Sequence, residues 1–186
     1  MTSAFAVRRA LPADAATLAA LGERTFRDAY ADANNAHDMD MYVALAFGLR
    51  QQSAELGDSR VTCLVAESAE PSGRHPIGYA LLRQVAEETP PCVAGPSPIE
   101  LARLYVDRPW HGRAVGAALM QHVVDEARTR GAHTLWLAVW EHNARARAFY
   151  ANWGFAEVGE HDFLLGGDLQ RDLLLARPVV ESDRAG

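Results

Sequence analysis

The chain has 186 residues, 49% hydrophobic and 23% charged, with a formal net charge of -6. That length suits a single domain whose core needs neither disulfides nor a metal, and the composition excludes a disordered or fibrous chain. The acidic balance argues against nucleic acid as a partner, because phosphate backbones are held by clustered positive charge, and it suits neutral or cationic ligands.

In chain order, residues 5–9 read as a short strand, and Pro12 and Asp14 then open an amphipathic helix carrying Leu18, Leu21, Thr25 and Phe26 on its apolar face. A second helix is expected over about residues 37–47. Residues 61–67 and 77–83 read as two strands joined by a turn at 71–76, where two prolines flank Ser72 and Gly73, a hairpin pattern. The stretch 87–98 holds four prolines and a glycine, too irregular for an element and well placed to be a loop over a site. Residues 99–106 form the next strand. A helix follows, with Val115, Ala118, Leu119, His122 and Val123 at helical spacing, ending near Arg130 with Gly131 as its stop. Residues 134–140 have buried-strand character.

Asn143 then caps a short helix whose Ala146, Phe149, Tyr150 and Trp153 share one face, with Gly154 as the stop. Residues 155–158 and 172–177 read as final strands joined through Gly166 and Gly167, and 179–186 as a polar tail behind one domain at 1–178. A strand, helix and strand over 99–140 imply a right-handed crossover between parallel neighbours, whereas the short turns elsewhere imply antiparallel pairing. The expected class is α/β (α+β): a mixed, mostly antiparallel sheet with helices on both faces and a central parallel pair. Ligands of such sheets gather at the carboxyl ends of parallel strands.

Cys63 and Cys92 lie far apart, lack zinc-ligand spacing and are expected as small core residues of a reducing compartment. No metal is expected. No apolar run approaches the roughly 20 residues that cross a bilayer and the start lacks a leader's apolar segment, so the expectation is a cytoplasmic chain with no membrane partner.

Chemistry concentrates at residues 111–117. Gly112, Ala114, Gly116 and Ala117 are small, and they lie where a strand hands over to a helix whose first amides have no intrahelical partners. An anion such as a phosphate could approach those donors, with Arg108 and Arg113 adding charge, although the same residues also suit a turn that is merely close-packed. No Gly-Lys-Ser/Thr follows and G-x-G-x-x-G is absent, so neither a Walker loop nor a dinucleotide fingerprint is present. The segment from Asn143 to Phe155 is, taken alone, adequately explained as a capped amphipathic helix.

Together the two segments resemble the acetyl-coenzyme A binding motifs of the GCN5-related N-acetyltransferases (GNAT). That family follows a Leu-Tyr-Val-like strand end with Q/R-x-x-G-x-G/A, and later carries N-x-x-A-x-x-F-Y-x-x-x-G-F. The second pattern is met by Asn143, Ala146, Phe149, Tyr150, Gly154 and Phe155; in the first, Gly116 matches while His111 replaces Gln or Arg and Ala114 replaces Gly, a residue that resists positive φ. A looser similarity to PaiA-type polyamine acetyltransferases rests on Arg8-x-Ala10-x-Pro12-x-Asp14-Ala15, Thr25-Phe26 and the helix around 38–47.

The resemblance implies that amides of His111, Gly112, Arg113, Ala114, Val115, Gly116 and Ala117 bind the diphosphate of acetyl-CoA. It implies further that its arm pairs along Leu104, Tyr105 and Val106 with help from Asn143, and that an N–H near Val106 faces the thioester oxygen. Tyr150 is then the proton donor to the leaving sulfur and Glu100 the expected base, directly or through water. Glu87 and Glu88 could attract a cation, while His111, His122 and His142 read as structural or surface groups. A small-molecule amine, polyamines first, or a peptide amine is the expected acceptor. A coenzyme A sensor without catalysis is the alternative, and a homodimer is among the assemblies the resemblance allows.

Overall fold

The computed structural model describes residues 5–70, 73–84 and 86–179, apart from the side chains of Glu70 and Ala86. Strand β1 (Phe5–Arg9) leads into a turn where Asp14 accepts a 2.6 Å hydrogen bond from the Leu11 amide and two from the Arg8 guanidinium, at 2.8 and 2.9 Å. That carboxylate sets the start of α1 (Ala15–Tyr30), whose Leu18, Leu21, Gly22, Thr25 and Phe26 recur every three or four residues and are buried. Gly22 matters because a Cβ there would stand 2.5 Å from the Phe47 ring and 2.8 Å from the Tyr79 hydroxyl, so only glycine lets α1 lie this close to the sheet.

Helix α2 (Ala36–Ala46) is capped by Asn35, and α3 (Leu49–Gly57) follows directly. The sequence reading had no helix at α3. It buries only Gln52, whose amide donates to the Ala46 carbonyl at 3.0 Å, so no apolar stripe advertises it.

Strands β2 (Val61–Glu70) and β3 (Gly73–Arg83) form the expected hairpin, but they run farther than expected and pair to Glu70↔Gly73. Pro76 sits beside a register shift opposite Glu67, where a missing N–H costs the ladder little; Pro71 and Ser72 of the expected turn lie outside the described residues. Next come β4 (Pro98–Val106), α4 (Val115–Thr129), β5 (Thr134–Trp140) and α5 (Ala144–Asn152), close to the predicted limits. The last two strands, β6 (Ala156–Leu165) and β7 (Asp168–Pro178), are much longer than expected and meet at Gly166, where φ is +61°. Val179, assigned in the sequence reading to the tail, is buried and its amide donates to the His133 carbonyl; residues 180–186 of that tail lie outside the described residues.

The sheet runs β1-β2-β3-β4-β5-β7-β6, and every neighbouring pair is antiparallel except β4 and β5. Leu64, Ala66, Ala80 and Leu82 face α4, whereas Cys63, Val65 and Tyr79 on the opposite face meet Leu18 and Leu21 of α1. Alternation along each strand thus supplies two cores, each fully buried large side chain contributing roughly 1.5–3 kcal/mol. Cys63 is inert here, its thiol pushed up to about 12 by burial. No helix among the described residues is long and apolar enough to cross a membrane.

Candidate active site

The parallel pair is joined at only three positions, Pro98↔Thr134, Ile99↔Leu135 and Glu100↔Trp136, after which β4 and β5 separate. A register shift against Leu81 and Leu82 puts Ala102 out of step and bends β4 just where the pairing ends. From Leu101 to Val106, β4 therefore keeps its β3 partner and has none on the β5 side. The gap opens into a cleft of about 1270 Å³ whose walls include Leu104, Val106, Gly116, Asn143, Tyr150 and Asp172. That exceeds the usual space for one small ligand and suits two reactants.

At one mouth of the cleft the backbone is arranged for an anion. Gly112 and Ala114 have φ of +74° and +63°, and among the described residues the amides of Gly112, Ala114, Val115, Gly116 and Ala117 donate no hydrogen bond. Left-handed residues interleaved with ordinary ones turn successive N–H groups toward a common point, here at the start of the 15-residue α4. Ala114 thus adopts the conformation that alanine resists, at a cost of about 1 kcal/mol, which shows that the turn's shape is imposed by its surroundings. Val115 contributes its amide only, for its side chain is in the core. Arg113 lies over the Trp110 ring at 5.2 Å.

The His111 ring touches the Val106 carbonyl through Nε2 at 2.8 Å and the Arg145 guanidinium through Nδ1 at 2.8 Å. A guanidinium only donates, so Nδ1 accepts and Nε2 carries the hydrogen that goes to Val106. The imidazole is neutral in this arrangement. A ligand strand paired to that carbonyl competes with this ring. Arg145, which the sequence reading passed over, is thereby a third cation at the turn. His122 is exposed on α4 and bonded to the Ala118 carbonyl, and His142 is exposed beside Trp140 and Glu141, so both occupy the surface roles expected.

Tyr150 is buried between Phe149 and Phe155, with ring centroids 5.5 and 5.7 Å away, and its hydroxyl makes no hydrogen bond to the described residues. Burial pushes its phenol well above the ordinary value, so it keeps its proton at neutral pH. Asn143 caps α5 by accepting from the Ala146 amide at 3.0 Å, and its amide donates to the Tyr30 hydroxyl at 3.3 Å. One N–H of Asn143 and the Tyr30 hydrogen are left for a ligand. Tyr105 packs its ring against the aromatic group of Phe26, Phe47 and Tyr79 while still lining the cleft.

Glu100 is engaged by an arginine. It lies at the last paired position of β4 and β5 and lines the wall of the cleft, where its Oε2 is held by Arg83 Nη2 at 2.7 Å and Nε at 2.9 Å. The same arginine reaches Glu88 at 3.5 Å. Glu100 is an ion-pair member beside the β3–β4 bulge, so the proton-accepting role expected of it competes with its bonds to Arg83. Glu88 is also engaged, while Glu87 is exposed on the adjoining turn.

Asp172 is the residue that sequence reasoning missed. It opens the run Leu173, Leu174 and Leu175 on β7, shares its side of the sheet with Leu174 and Ala176, and is only 8% exposed. Its Oδ1 has no hydrogen-bond partner, and Oδ2 lies 4.0 Å from His161 Nε2. Burial pushes its carboxyl up to about 6. A charged residue heading an apolar strand was the available signal, but the strand's facing was not readable without its register.

An open sheet whose parallel strands part beside a group of unbonded amides has room for a long, phosphate-bearing ligand between two strands. Residues 23–155 match the model of the acetyltransferase (GNAT) family. Over 167 residues the chain is 32% identical to an uncharacterized N-acetyltransferase of Mycobacterium tuberculosis, covering 90% of this chain and 99% of that protein. A stretch of 58 residues is 44% identical to the ribosomal protein bS18-alanine N-acetyltransferase of Salmonella typhimurium, covering 31% of this chain and 39% of that enzyme. The fold matches that of the PaiA N-acetyltransferase of Thermoplasma acidophilum, solved in complex with coenzyme A, with a TM-score of 0.73 and 18% identity over 96% of this chain and 99% of that one. The chain belongs to the GNAT family, and it is an N-acetyltransferase.

Proposed function

We propose that this protein transfers the acetyl group of acetyl-CoA to a primary amine, with a small cationic amine as acceptor, in a ternary complex and without a covalent enzyme intermediate. The observation that carries the reading is the set of amides of Gly112, Ala114, Val115, Gly116 and Ala117, unbonded among the described residues, at the mouth of the gap between β4 and β5. These donors fit a diphosphate, and the three nearby arginines, Arg108, Arg113 and Arg145, add charge of the right sign. The unpaired edge of Leu104 to Val106 would receive the amide-containing arm as an added strand, and the spare N–H of Asn143 would bond to it.

Bound acetyl-CoA supplies an activated acetyl carbonyl. Tyr150, which keeps its proton and has a free hydroxyl, donates to the sulfur as negative charge develops there. A backbone N–H near Val106 would serve the carbonyl oxygen. The carboxylates Asp28 and Asp32 of the cleft lining, with Asp172, favour a cation over an anion as the second reactant.

The partial likeness to the bS18-alanine enzyme favours a second acceptor, the α-amine of a peptide. Thiol release from acetyl-CoA separates the two, using 1,4-diaminobutane, longer polyamines and a peptide with N-terminal alanine as acceptors. Acetylation of a polyamine with at least tenfold higher kcat/KM than the peptide is the expected result; the reverse order would transfer the assignment to peptides, and thiol release with no acceptor would remove it.

A further inference from the structure

We infer that Asp172 receives the acceptor's ammonium group and takes its first proton, an assignment that rests on the acetyl-transfer reading above. In the sheet, Asp172 stands opposite Trp140 on β5 and His161 on β6, so it lies on the strand next to the one from which β4 has parted. It lines the cleft with Tyr30, Tyr42, Trp140 and Phe163. Those rings form a connected wall, with Tyr30 5.9 Å from Trp140, Tyr42 5.2 Å from Phe163, and Phe26 bridging the two tyrosines at 4.7 and 4.9 Å. Aromatic faces around a carboxylate suit an ammonium group.

Three other carboxylates that line the cleft already have cations: Glu55 has Arg103 at 2.7 Å, Glu100 has Arg83, and Asp58 has Arg60 at 2.8 Å. Among the described residues Asp172 has no arginine partner, and its Oδ1 is withdrawn from water with no donor at all. A buried acceptor left unbonded costs roughly 1–3 kcal/mol, which a folded chain keeps for a reason, and the carboxyl group as a whole keeps an accessible part on the cleft where an incoming N–H can be received. The groups facing the carboxyl are the His161 imidazole and the phenols of Tyr30 and Tyr42, both pushed upward chiefly by burial and in small part by its charge.

The proton inventory closes. Asp172 removes one proton from R–NH3+, and the lone pair of R–NH2 forms the new C–N bond to the acetyl carbon as the C–S bond breaks. Tyr150 gives its proton to the departing sulfur and is restored by the second proton shed from nitrogen. The proton on Asp172 leaves by His161, which is half-exposed, so each turnover yields one amide, one thiol and one proton.

The test is Asp172→Asn, assayed with the amine that wild type acetylates best. The expected loss is roughly 10²–10⁴-fold in kcat/KM for the amine, with coenzyme A affinity unchanged. Wild-type kcat/KM should also fall as pH drops through about 6, and the variant should lack this limb. Misfolding is excluded by the sign of the stability change. The native carboxyl holds its proton at higher pH than the ordinary 3.8, so it lowers stability as pH rises from there to about 6, and at pH 8 the variant should melt no lower than wild type. Amine kcat/KM within threefold of wild type would overturn the assignment. If wild type acetylates no amine, the transfer reading fails separately, and calorimetry of 1,4-diaminobutane with the coenzyme A complex decides the point. Binding by wild type that Asp172→Asn abolishes supports the inference, whereas equal binding, or none, overturns it.

Discussion

Tyr150→Phe lowers kcat by roughly 10 to 10³-fold and leaves the affinity for coenzyme A and the melting temperature near those of wild type. The hydroxyl has no protein partner among the described residues, so its removal leaves no orphaned group and no cavity beyond one oxygen. The ring stays packed on Phe149 and Phe155, which keeps α5 and Asn143 in place. What disappears is the hydrogen bond to sulfur, which matters only as the C–S bond breaks, and a loss confined to that moment appears in kcat rather than in binding. Steady-state kinetics with a saturating amine, beside calorimetry of coenzyme A, measure the two quantities. Wild-type turnover in the variant would remove Tyr150 from the acid role.

Gly116→Glu should weaken coenzyme A binding by about 10²-fold or more, equivalent to nearly 3 kcal/mol. A Cβ at Gly116 meets nothing closer than 3.8 Å, where Phe149 and Val106 flank it, so a small side chain fits and folding tolerates the change. The longer glutamate extends into the gap between β4 and α5, and its carboxylate takes up the free amides and repels a diphosphate. Gly116→Ala is the matched control and should bind within a few fold of wild type. Calorimetry that finds the glutamate variant unaltered would make the turn a packing device without a ligand.

The elements that place the site were readable because each has a strong local pattern. The strand at 99–106, the small-residue turn, α4 and the Asn143-capped α5 all combine apolar periodicity with a cap or a stop. Elements without such patterns were lost or shortened. Helix α3 buries one glutamine, and β6 is an edge strand with Glu157, Glu160 and Asp162 exposed, so neither displays an apolar face.

Side-chain partners were less legible still. Glu100 looked free because its arginine lies 17 positions away across a hairpin whose bulge sets the register. Asp172 looked ordinary because its burial depends on three strands meeting, and no local spacing encodes that. Ala114 shows the reverse case, a residue that departs from the family pattern and yet adopts the backbone that the usual glycine would take.

The whole account depends on where the diphosphate binds. A crystal structure of the protein with coenzyme A tests this most directly. The diphosphate oxygens should lie within hydrogen-bond distance of the unbonded amides among Gly112, Ala114, Val115, Gly116 and Ala117, with the arm running between β4 and β5 and the sulfur beside the Tyr150 hydroxyl. A diphosphate bound elsewhere, or a sulfur remote from Tyr150, would contradict it.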